Sequence, residues 1–377
     1  MLHMKGREMK KTAIQALGLT AICALLLLPL QGQGEVDFLK GKVHYLDKDG
    51  LSLTKKIERA EQEFKKLGKG DVYFTGYTYL SKHEVHQGSI HDESRPFTIS
   101  VENGKIKRRR TYKRKDSETY TTEDGNEVVG LIFLHKVTGK TAQIMDVELI
   151  DLDNTYEFTE EPIYWLGDGE NEESIRFLEK EFESGDYGLR KTLVFVISSH
   201  DHASAYDFLH RVALGDYETK VRENAIFWLG NYKDERSLKD LKAIYKKTDE
   251  IKLKKQIVFA FQMSDRPEAI QELIRIAKKD DDQKIRKDAI FWLGQKASEE
   301  SIKALKDVVE DSDENTKVKE SAVFAISQLP QEKSVPMLID IARTNKNPKV
   351  KKQAIFWLGQ KDDEAALKFF EEILLKR

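Results

Sequence analysis

The sequence predicts an α+β protein, in which a small antiparallel β-rich domain with one helix precedes an all-α solenoid of about seven two-helix repeats. All four tryptophans lie in one repeated sequence motif and are spaced by 63, 64 and 65 residues. Weaker copies of the motif lie midway between them, so the period is about 32 residues, which is typical of stacked helical repeats. The tryptophans are Trp165, Trp228, Trp292 and Trp357.

Composition and charge fit a helix-rich chain with long polar faces. Of its 377 residues, 34% are charged and 40% are hydrophobic, and the formal net charge is −2. Residues 1–34 contain four basic side chains and one acidic one, so removing this +3 segment leaves −5. So small a net charge does not favour a general nucleic-acid binder, and no nucleic-acid partner is expected.

Residues 1–34 indicate a secretory signal. Met9-Lys10-Lys11 supplies a positive start, residues 13–30 are apolar, and Gly32 and Gly34 are small residues at the expected distances from a cleavage site before Glu35. We therefore expect an exported protein, either periplasmic or extracellular, with no membrane span after the signal is cleaved.

Two other interpretations of this segment remain open. The apolar run could stay uncleaved as an N-terminal anchor, although it is at the short end for a membrane span. Cys23 could be lipidated, although the bulky Ile22 stands where a small residue is expected. Because Cys23 is the only cysteine, a chain cleaved before Glu35 contains no thiol.

Residues 35–157 lack the 32-residue period and predict the β-rich domain. Apolar residues at helical spacing predict one helix, which begins after Ser52 and ends at Gly68. The segments after it are rich in aromatic residues and threonine or alternate in polarity, which predicts strands. Asn103-Gly104 and Thr138-Gly139 then predict hairpin turns.

Residues 158–377 contain the repeats. Each unit begins 31 to 33 residues after the previous one, and so constant a period predicts a solenoid in which each unit stacks on its neighbours. The first helices of the units are predicted to start at Phe158, Leu189, Val221, Leu253, Ile285, Val318 and Val350.

Each unit is predicted to contain two helices, as the third unit illustrates. Val221, Ala225 and Leu229 are spaced for one face of a first helix, and Gly230 is expected to end that helix in the left-handed conformation. Asp234 is expected to cap the second helix. The residues predicted to bury that second helix are Leu238, Leu241, Ile244 and Tyr245.

These residues make the units resemble HEAT repeats of the phycobilisome-lyase-like subclass. The resemblance covers 158–377 and implies an α-solenoid that binds proteins, although some family members are enzymes or bind nucleic acid. The chain departs from the family pattern at Phe227 and Trp228, where small residues are usual. The residues that carry the resemblance are Val221-Arg222, Ala225, Leu229-Gly230, Asp234-Glu235-Arg236, Leu238 and Leu241.

Two bulky positions recur in each first helix. The seventh is aromatic in every unit, and the eighth alternates between tryptophan and a small residue. The favoured interpretation is that large and small residues interdigitate between stacked units, in which case Trp292→Ala should cost about 3–5 kcal/mol. The alternative is an exposed aromatic stripe that binds a ligand.

The outward positions of the second helices predict a partner-binding surface, because this side of HEAT arrays is commonly concave. The alternative is a solvated charged face, which any long surface helix needs. The mixed signs do not favour a phosphate-binding track. The candidate partner-binding residues are Lys239, Arg275, Lys303, Asp307, Asp340, Lys368 and Glu372.

A basic cluster over residues 105–115 is a candidate polyanion site. Eight basic side chains in eleven residues would attract an acidic glycan or an anionic lipid surface. Acidic residues follow closely and could neutralise the cluster across a hairpin. The candidate polyanion-binding residues are Arg108, Arg109, Arg110, Lys113 and Arg114.

Histidines gather in two places, but neither spacing is specific for a metal, so no metal or other cofactor is predicted. His202 stands where other units place a helix cap, which is a sufficient structural role. The two groups are His83, His86 and His91 before the repeats, and His200, His202 and His210 within them.

The favoured functional hypothesis is a non-catalytic scaffold that offers the solenoid surface to a protein partner. The sequence contains no phosphate-binding glycine loop, serine elbow or zinc-binding histidine pair, and no catalytic residue is predicted. One alternative is polyanion binding through the basic cluster. Another is a metal-dependent enzyme, but the hydroxylases with this fold carry His-Glu pairs within their repeats, whereas His83-Glu84 lies outside the array.

Overall fold

The computed structural model describes residues 36–47, 50–82, 97–109 and 127–375. Its N-terminal part is one sheet, with helix α1 (Leu53–Leu67) inserted after the first strand. Ser52 Oγ accepts the Lys55 N–H at the start of α1, and Gly68 ends the helix in the left-handed conformation, as predicted. The strands are β1 Leu39–Tyr45, β2 Val72–Ser81, β3 Phe97–Glu102, β4 Lys105–Arg109, β5 Glu127–Thr138, β6 Thr141–Asp151 and β7 Tyr156–Asp168.

The sheet is mixed, so the prediction of a purely antiparallel sheet is wrong. The strand order is β4-β3-β7-β2-β5-β6, and β1 also pairs with β7. Both predicted hairpins are confirmed, because β3 pairs with β4 and β5 pairs with β6 in antiparallel register. Strand β7, however, runs parallel to β1, β2 and β3. Local turn residues fix hairpins, whereas parallel pairs join segments far apart in the chain.

The predicted first repeat is wrong, because the segment from Phe158 forms β7 rather than a helix. The sequence motif around Trp165 resembles the repeats, but Pro162 lies four residues into the predicted helix. There its ring would clash with the preceding turn and remove a backbone donor. The predicted domain boundary at 158 therefore falls inside a strand, and the solenoid begins at Asn171.

The remaining six predicted units are confirmed as pairs of helices. The first helices of the units are α3, α5, α7, α9, α11 and α13. The second helices are α4, α6, α8, α10, α12 and α14. Helix α2 follows β7 and occupies a second-helix position. Their bounds are α2 Asn171–Ser184, α3 Tyr187–Ser199, α4 Ala203–Leu214, α5 Thr219–Asn231, α6 Glu235–Lys247, α7 Ile251–Met263, α8 Pro267–Lys279, α9 Gln283–Lys296, α10 Glu299–Glu310, α11 Thr316–Ser327, α12 Gln331–Thr344, α13 Pro348–Leu358 and α14 Glu364–Leu375.

One hydrophobic core runs from the sheet into the solenoid. Tyr77 and Phe133 on one face of the sheet pack with Phe177 of α2, and the same core continues through every unit to α14. The other face of the sheet has its own core, which contains Phe158 and Trp165. The two predicted domains therefore fold as one continuous body.

Buried hydrogen bonds fix this junction. The Tyr77 hydroxyl and the Ser174 hydroxyl lie 2.7 Å apart, and Ser174 Oγ lies 2.7 Å from Nε2 of His200. Tyr79 stacks on His200 at 3.8 Å, and its hydroxyl lies 2.6 Å from Ser199 Oγ. Burial lowers the pKa of His200 to about 3, so its ring is neutral and serves as a structural link between the sheet, α2 and α3.

No helix in the described residues has the length and apolar composition needed to cross a membrane.

Candidate partner-binding surfaces

Ion pairs connect successive second helices along the whole array. Each pair joins a basic side chain on one second helix to an acidic one on a neighbour, so together they form an inter-unit ladder. The pairs are Arg211–Glu179 at 2.9 Å, Arg236–Asp207 at 2.5 Å, Lys242–Glu272 at 2.9 Å, Lys278–Asp307 at 2.6 Å, Lys306–Asp340 at 3.6 Å and Arg343–Glu372 at 2.5 Å.

The ladder engages four of the seven candidate residues predicted on this face. Asp307, Asp340 and Glu372 are acceptors within it, and Arg275 binds the ladder residue Glu272 at 2.8 Å. The other three candidates, Lys239, Lys303 and Lys368, are exposed. Three of the seven candidates therefore serve contacts between repeats, and partner binding by these seven residues stays a prediction.

Basic residues near the start of several first helices also have structural roles. Arg222 Nε donates to the Ala213 carbonyl at the end of α4, and its Nη1 donates to Glu250 before the next first helix. Arg286 contacts the Asp280 carbonyl and Glu314 in the same way. Cations at a helix C-terminus satisfy carbonyls that lack a helical partner. These side chains therefore fix each unit to its neighbours.

The first helices carry a row of aromatic residues, which we call the aromatic ribbon. Ring contacts link Phe195 to Trp228 at 5.3 Å, Phe259 to Trp292 at 5.1 Å, and adjacent units elsewhere along the array. Every member is half-buried or exposed rather than fully buried. The ribbon consists of Phe195, Phe227, Trp228, Phe259, Phe291, Trp292, Phe324, Phe356 and Trp357.

The ribbon tryptophans therefore pack at the edge of the core, not inside it. Trp292 and Trp357 rest against core residues, whereas Trp165 in the sheet is only 2% exposed. Phe291 and Phe356 are 40% and 53% exposed. The indoles thus pack between neighbouring units as the favoured interpretation predicts, but at the edge of the core, and the phenylalanines beside them supply an exposed stripe.

The alternation of large and small residues has a different physical cause. A Cβ added at Gly230 would lie 2.6 Å from Ala260 Cβ, and one added at Gly294 would lie 2.9 Å from Ala325 Cβ. Glycine thus meets alanine where α5 crosses α7 and where α9 crosses α11, while phenylalanine meets tryptophan at the crossings between. Gly230 lies inside α5, so its predicted role as a left-handed terminator is wrong.

Close crossings recur along the first-helix layer. Neighbouring first helices lie nearer to each other than neighbouring second helices do, and at two of the crossings small residues meet between them. That the second helices form the concave side of the array stays a prediction.

A row of lysines runs beside the aromatic ribbon. Each lies four or seven residues before a ribbon phenylalanine and hence on the same helix face. Their ammonium groups form no ion pair with any described residue, unlike the cations of the second-helix ladder. This lysine row consists of Lys252, Lys284, Lys287, Lys317, Lys349 and Lys352.

A shallow depression of about 330 Å³ joins the two features. Lys287 of α9, Lys317 and Phe324 of α11, and Gln353 of α13 line it. Glu320 and Ser321 complete its wall. Phe324 is the one apolar residue of its lining, and the two lysines give it a cationic edge that Glu320 partly offsets.

The predicted basic cluster is partly neutralised. Lys105 Nζ lies 3.1 Å from Asp146, and Arg108 Nε lies 2.5 Å from Glu148, both across to β6. Burial raises the pKa of Glu148, and the nearby Arg108 opposes that rise. Arg109 ends β4, and its side chain lies outside the described residues, as do Arg110, Lys113 and Arg114. Polyanion binding therefore stays a prediction.

The histidines have mixed outcomes. His202 caps α4 by accepting the Ser204 N–H at 3.3 Å, as predicted. His83, His86 and His91 lie outside the described residues. Within the described ranges, no three histidine, cysteine, aspartate or glutamate side chains converge as metal ligands would.

The fold and its repeated contacts define an α-solenoid scaffold. A sequence profile of HEAT repeats matches residues 175–262, 245–327, 270–347 and 311–377, which together cover more than half of the chain. The chain therefore belongs to the HEAT-repeat family, which confirms the resemblance seen in its sequence. A comparison with curated proteins found no match.

Three solved structures illustrate the similarity. Human deoxyhypusine hydroxylase is 19% identical, with 53% of this chain and 77% of that chain covered and a TM-score of 0.24. The complex of CpcE and CpcF of phycocyanin lyase from Nostoc is 13% identical, with 52% and 92% covered and a TM-score of 0.31. The Mini spindles TOG3 structure from Drosophila melanogaster is 12% identical, with 48% and 91% covered and a TM-score of 0.35. At these values the similarities say nothing about activity.

Proposed function

We propose that this chain is an exported, non-catalytic scaffold that binds a protein partner through its first-helix face, meaning the aromatic ribbon with the lysine row beside it. The partner segment we infer is acidic and carries apolar side chains. The observation that carries the proposal is the coincidence, on one face of the first helices, of exposed rings and lysines that form no ion pair with the described residues.

Exposed apolar area supports this choice of face. Soluble monomers rarely present long contiguous apolar patches, and such patches commonly mark interaction sites. The ribbon runs over the first helices from α3 to α13, and its most exposed rings are Phe291 and Phe356. Aromatic residues supply much of the binding free energy at protein interfaces because each buries a large area at little entropic cost.

Charge supports the acidic character of the partner. Six second-helix cations form ion pairs in the ladder, whereas the lysine row forms none with the described residues, although Glu320 lies near Lys287 and Lys317. Acidic side chains on the first-helix face are fewer, and Glu223 and Asp288 are paired with Lys220 and Lys255. An acidic segment would thus find complementary potential on this face, which raises the association rate and selects the partner.

A titration with defined peptides tests the proposal. The full chain is mixed with an amphipathic peptide of alternating glutamate and leucine, and ribbon indole fluorescence is recorded. We expect a saturable change that weakens as salt rises. The matched control peptide carries lysine in place of glutamate and should bind at least about tenfold more weakly, because like charges oppose the lysine row.

Two variants locate the binding. Phe291→Ala with Phe356→Ala should abolish saturation, whereas Lys239→Ala with Lys303→Ala on the second-helix face should leave it unchanged. Equal binding of both peptides, or loss of binding only in the second variant, would contradict the proposal. Export is tested separately, by fractionating cells of the native host and locating the chain with an antibody.

A further inference from the structure

One repeated position of the first helices carries a basic residue that pairs with an acid of the following loop. The position directly follows the apolar residue at which each unit starts, as Arg222 follows Val221. Its partner belongs to the loop before the next first helix. Four such pairs lie within the described residues, namely Arg190–Glu218 at 3.7 Å, Arg222–Glu250 at 2.5 Å, Lys254–Asp280 at 3.5 Å and Arg286–Glu314 at 2.8 Å.

Lys319 occupies this position in the unit of α11 and α12, but its loop supplies no carboxylate. Residues 345–347 include no acid, whereas residues 248–250, 280–282 and 311–315 include two or three each. Lys319 is only 7% exposed, and its ammonium forms no hydrogen bond or ion pair with any described residue. The stem of a lysine packs readily against apolar neighbours while its ammonium stays polar and charged. Lys319 is thus a largely buried lysine whose usual partner is missing.

The loop after α12 is otherwise built like its acidic counterpart. Asn345 takes the place of Asp280, because each lies five residues before the start of the following unit. Oδ1 of each accepts the N–H two residues further on, at 2.9 Å and 3.0 Å. The amide nitrogen of Asn345 then donates to the Val309 carbonyl at 3.2 Å. A donor therefore stands where Lys254 finds a carboxylate oxygen, and an ammonium, which only donates, cannot bind it.

We propose that Lys319 is an anion subsite, which binds a carboxylate that an acidic side chain of the protein partner supplies. The source of the carboxylate rests on the proposed function, whereas the subsite itself rests on the comparison between units. In the sister units a carboxylate from the chain fills the equivalent place. A carboxylate from outside the array completes the same ion pair here.

Local charge favours a carboxylate at this loop over the neighbouring ones. Lys346 lies in the loop, and α13 begins directly after it, so the positive end of a helix faces the same region. The acid next to Lys319 in sequence, Glu320, lines the depression with Phe324. The acidic loops of the other units would repel an incoming carboxylate.

The subsite lies beside the first-helix face. Lys317, which lines the depression with Phe324, precedes Lys319 by two residues and about 3 Å along the axis of α11. A partner segment that covers Phe324 therefore has a carboxylate-binding lysine within reach of its next residues. The subsite would fix the register of that segment on the array.

Thermal unfolding of the full chain in sodium glutarate tests the subsite without a partner. Glutarate carries the carboxylate of a glutamate side chain, and sodium chloride of equal ionic strength is the reference. We expect glutarate to raise the Tm of the wild type by about 2 °C more than that of Lys319→Met. Methionine keeps the packed stem, so Lys319→Met should unfold like the wild type in chloride, because no ion pair is lost.

Two matched variants separate this subsite from a general effect of the anion. Lys254→Met should keep the full glutarate response, because Lys254 already has Asp280 as its partner. Asn345→Asp restores a carboxylate at the place of Asp280 and should abolish the response. An equal response of the wild type and Lys319→Met would overturn the subsite, as would an undiminished response of Asn345→Asp.

The glutamate–leucine peptide tests the source of the carboxylate. Lys319→Met should weaken its binding about tenfold, whereas Lys254→Met should leave binding unchanged. Peptide binding that is equal in the wild type and Lys319→Met would overturn the partner as the source. A wild type that fails to bind the peptide would contradict the proposed function, and the glutarate response would still decide whether the subsite exists.

Discussion

The two helix layers of the solenoid face solvent in different ways. The second helices present charges that are matched across every unit boundary, so their surface is largely self-sufficient. The first helices present aromatic rings and lysines that have no ionic partner in the described residues. This difference shows that exposed charged residues in a repeat array indicate a binding surface only when their ion pairs within the array are known.

Among the substitutions that distinguish the two helix layers, one in the aromatic ribbon should cost the most unfolding free energy. Trp292→Ala removes a half-buried indole, so we expect a loss of about 2–3 kcal/mol in unfolding free energy. This is less than the 3–5 kcal/mol expected for Trp165→Ala, whose ring is fully enclosed in the sheet. Urea denaturation of the two variants measures the difference. Equal losses would mean that Trp292 is an interior residue and that the first-helix face is not open.

Acid should weaken the anchoring of both layers to the sheet, because His200 of α3 and Ser174 of α2 share one buried network. The pKa of His200 is lowered to about 3 in the folded chain, against 6.5 when unfolded, so stability falls as pH drops below about 6.5. At pH 5 the loss should be about 2 kcal/mol from this group.

His135, whose pKa burial also lowers to about 3, should add a similar loss. Denaturation at pH 7 and pH 5 measures the sum, and His200→Gln should reduce the pH dependence by about half. An unchanged pH dependence in that variant would show that the junction network is not as described.

The close crossings of the first layer should show a smaller effect with a clear control. Gly230→Ala forces a methyl group against Ala260 and should cost about 1–3 kcal/mol. Gly359→Ala occupies the same place in the last repeated phrase, but its nearest neighbours are 3.5 Å away and its φ is −68°, so it should be nearly neutral. Thermal unfolding of both variants tests this, and equal behaviour would show that Gly230 and Ala260 do not meet as closely as described.

The smallest effect should come from the second-helix ladder. Asp307→Asn breaks the pair with Lys278, which is partly exposed, and should cost less than about 1 kcal/mol. The cost should shrink further as salt is raised. A loss comparable to that of Trp292→Ala would mean that the ladder, rather than the first-helix contacts, holds the array together.

Much of the solenoid could be predicted because its signals are local and repeated. Asp234, Ser298 and His202 accept the helix N–H groups that their positions indicate. Gly230 was harder, because a glycine near the end of a helix usually terminates it. The signal that could have revealed its packing role is Ala260 in the following unit, and Ala325 after Gly294 repeats it.

The sheet and the surfaces were harder to predict for physical reasons. Trp165 lies in a sequence motif that resembles the repeats, and only Pro162 indicated that this segment forms a strand. Parallel pairing of β7 joins segments more than fifty residues apart, which no local pattern encodes. The ladder could have been predicted from the sequence, because residues of opposite charge, such as Lys242 and Glu272, recur about one unit apart.

Site-specific crosslinking tests most directly whether the first-helix face is the partner-binding surface. A photoreactive amino acid is placed at Phe291 in one chain and at Lys303 in another, and both are irradiated in the native host. The account predicts one dominant, acidic crosslinked protein at position 291 and little or none at 303. The reverse pattern, with the partner captured from the second-helix face, would contradict it.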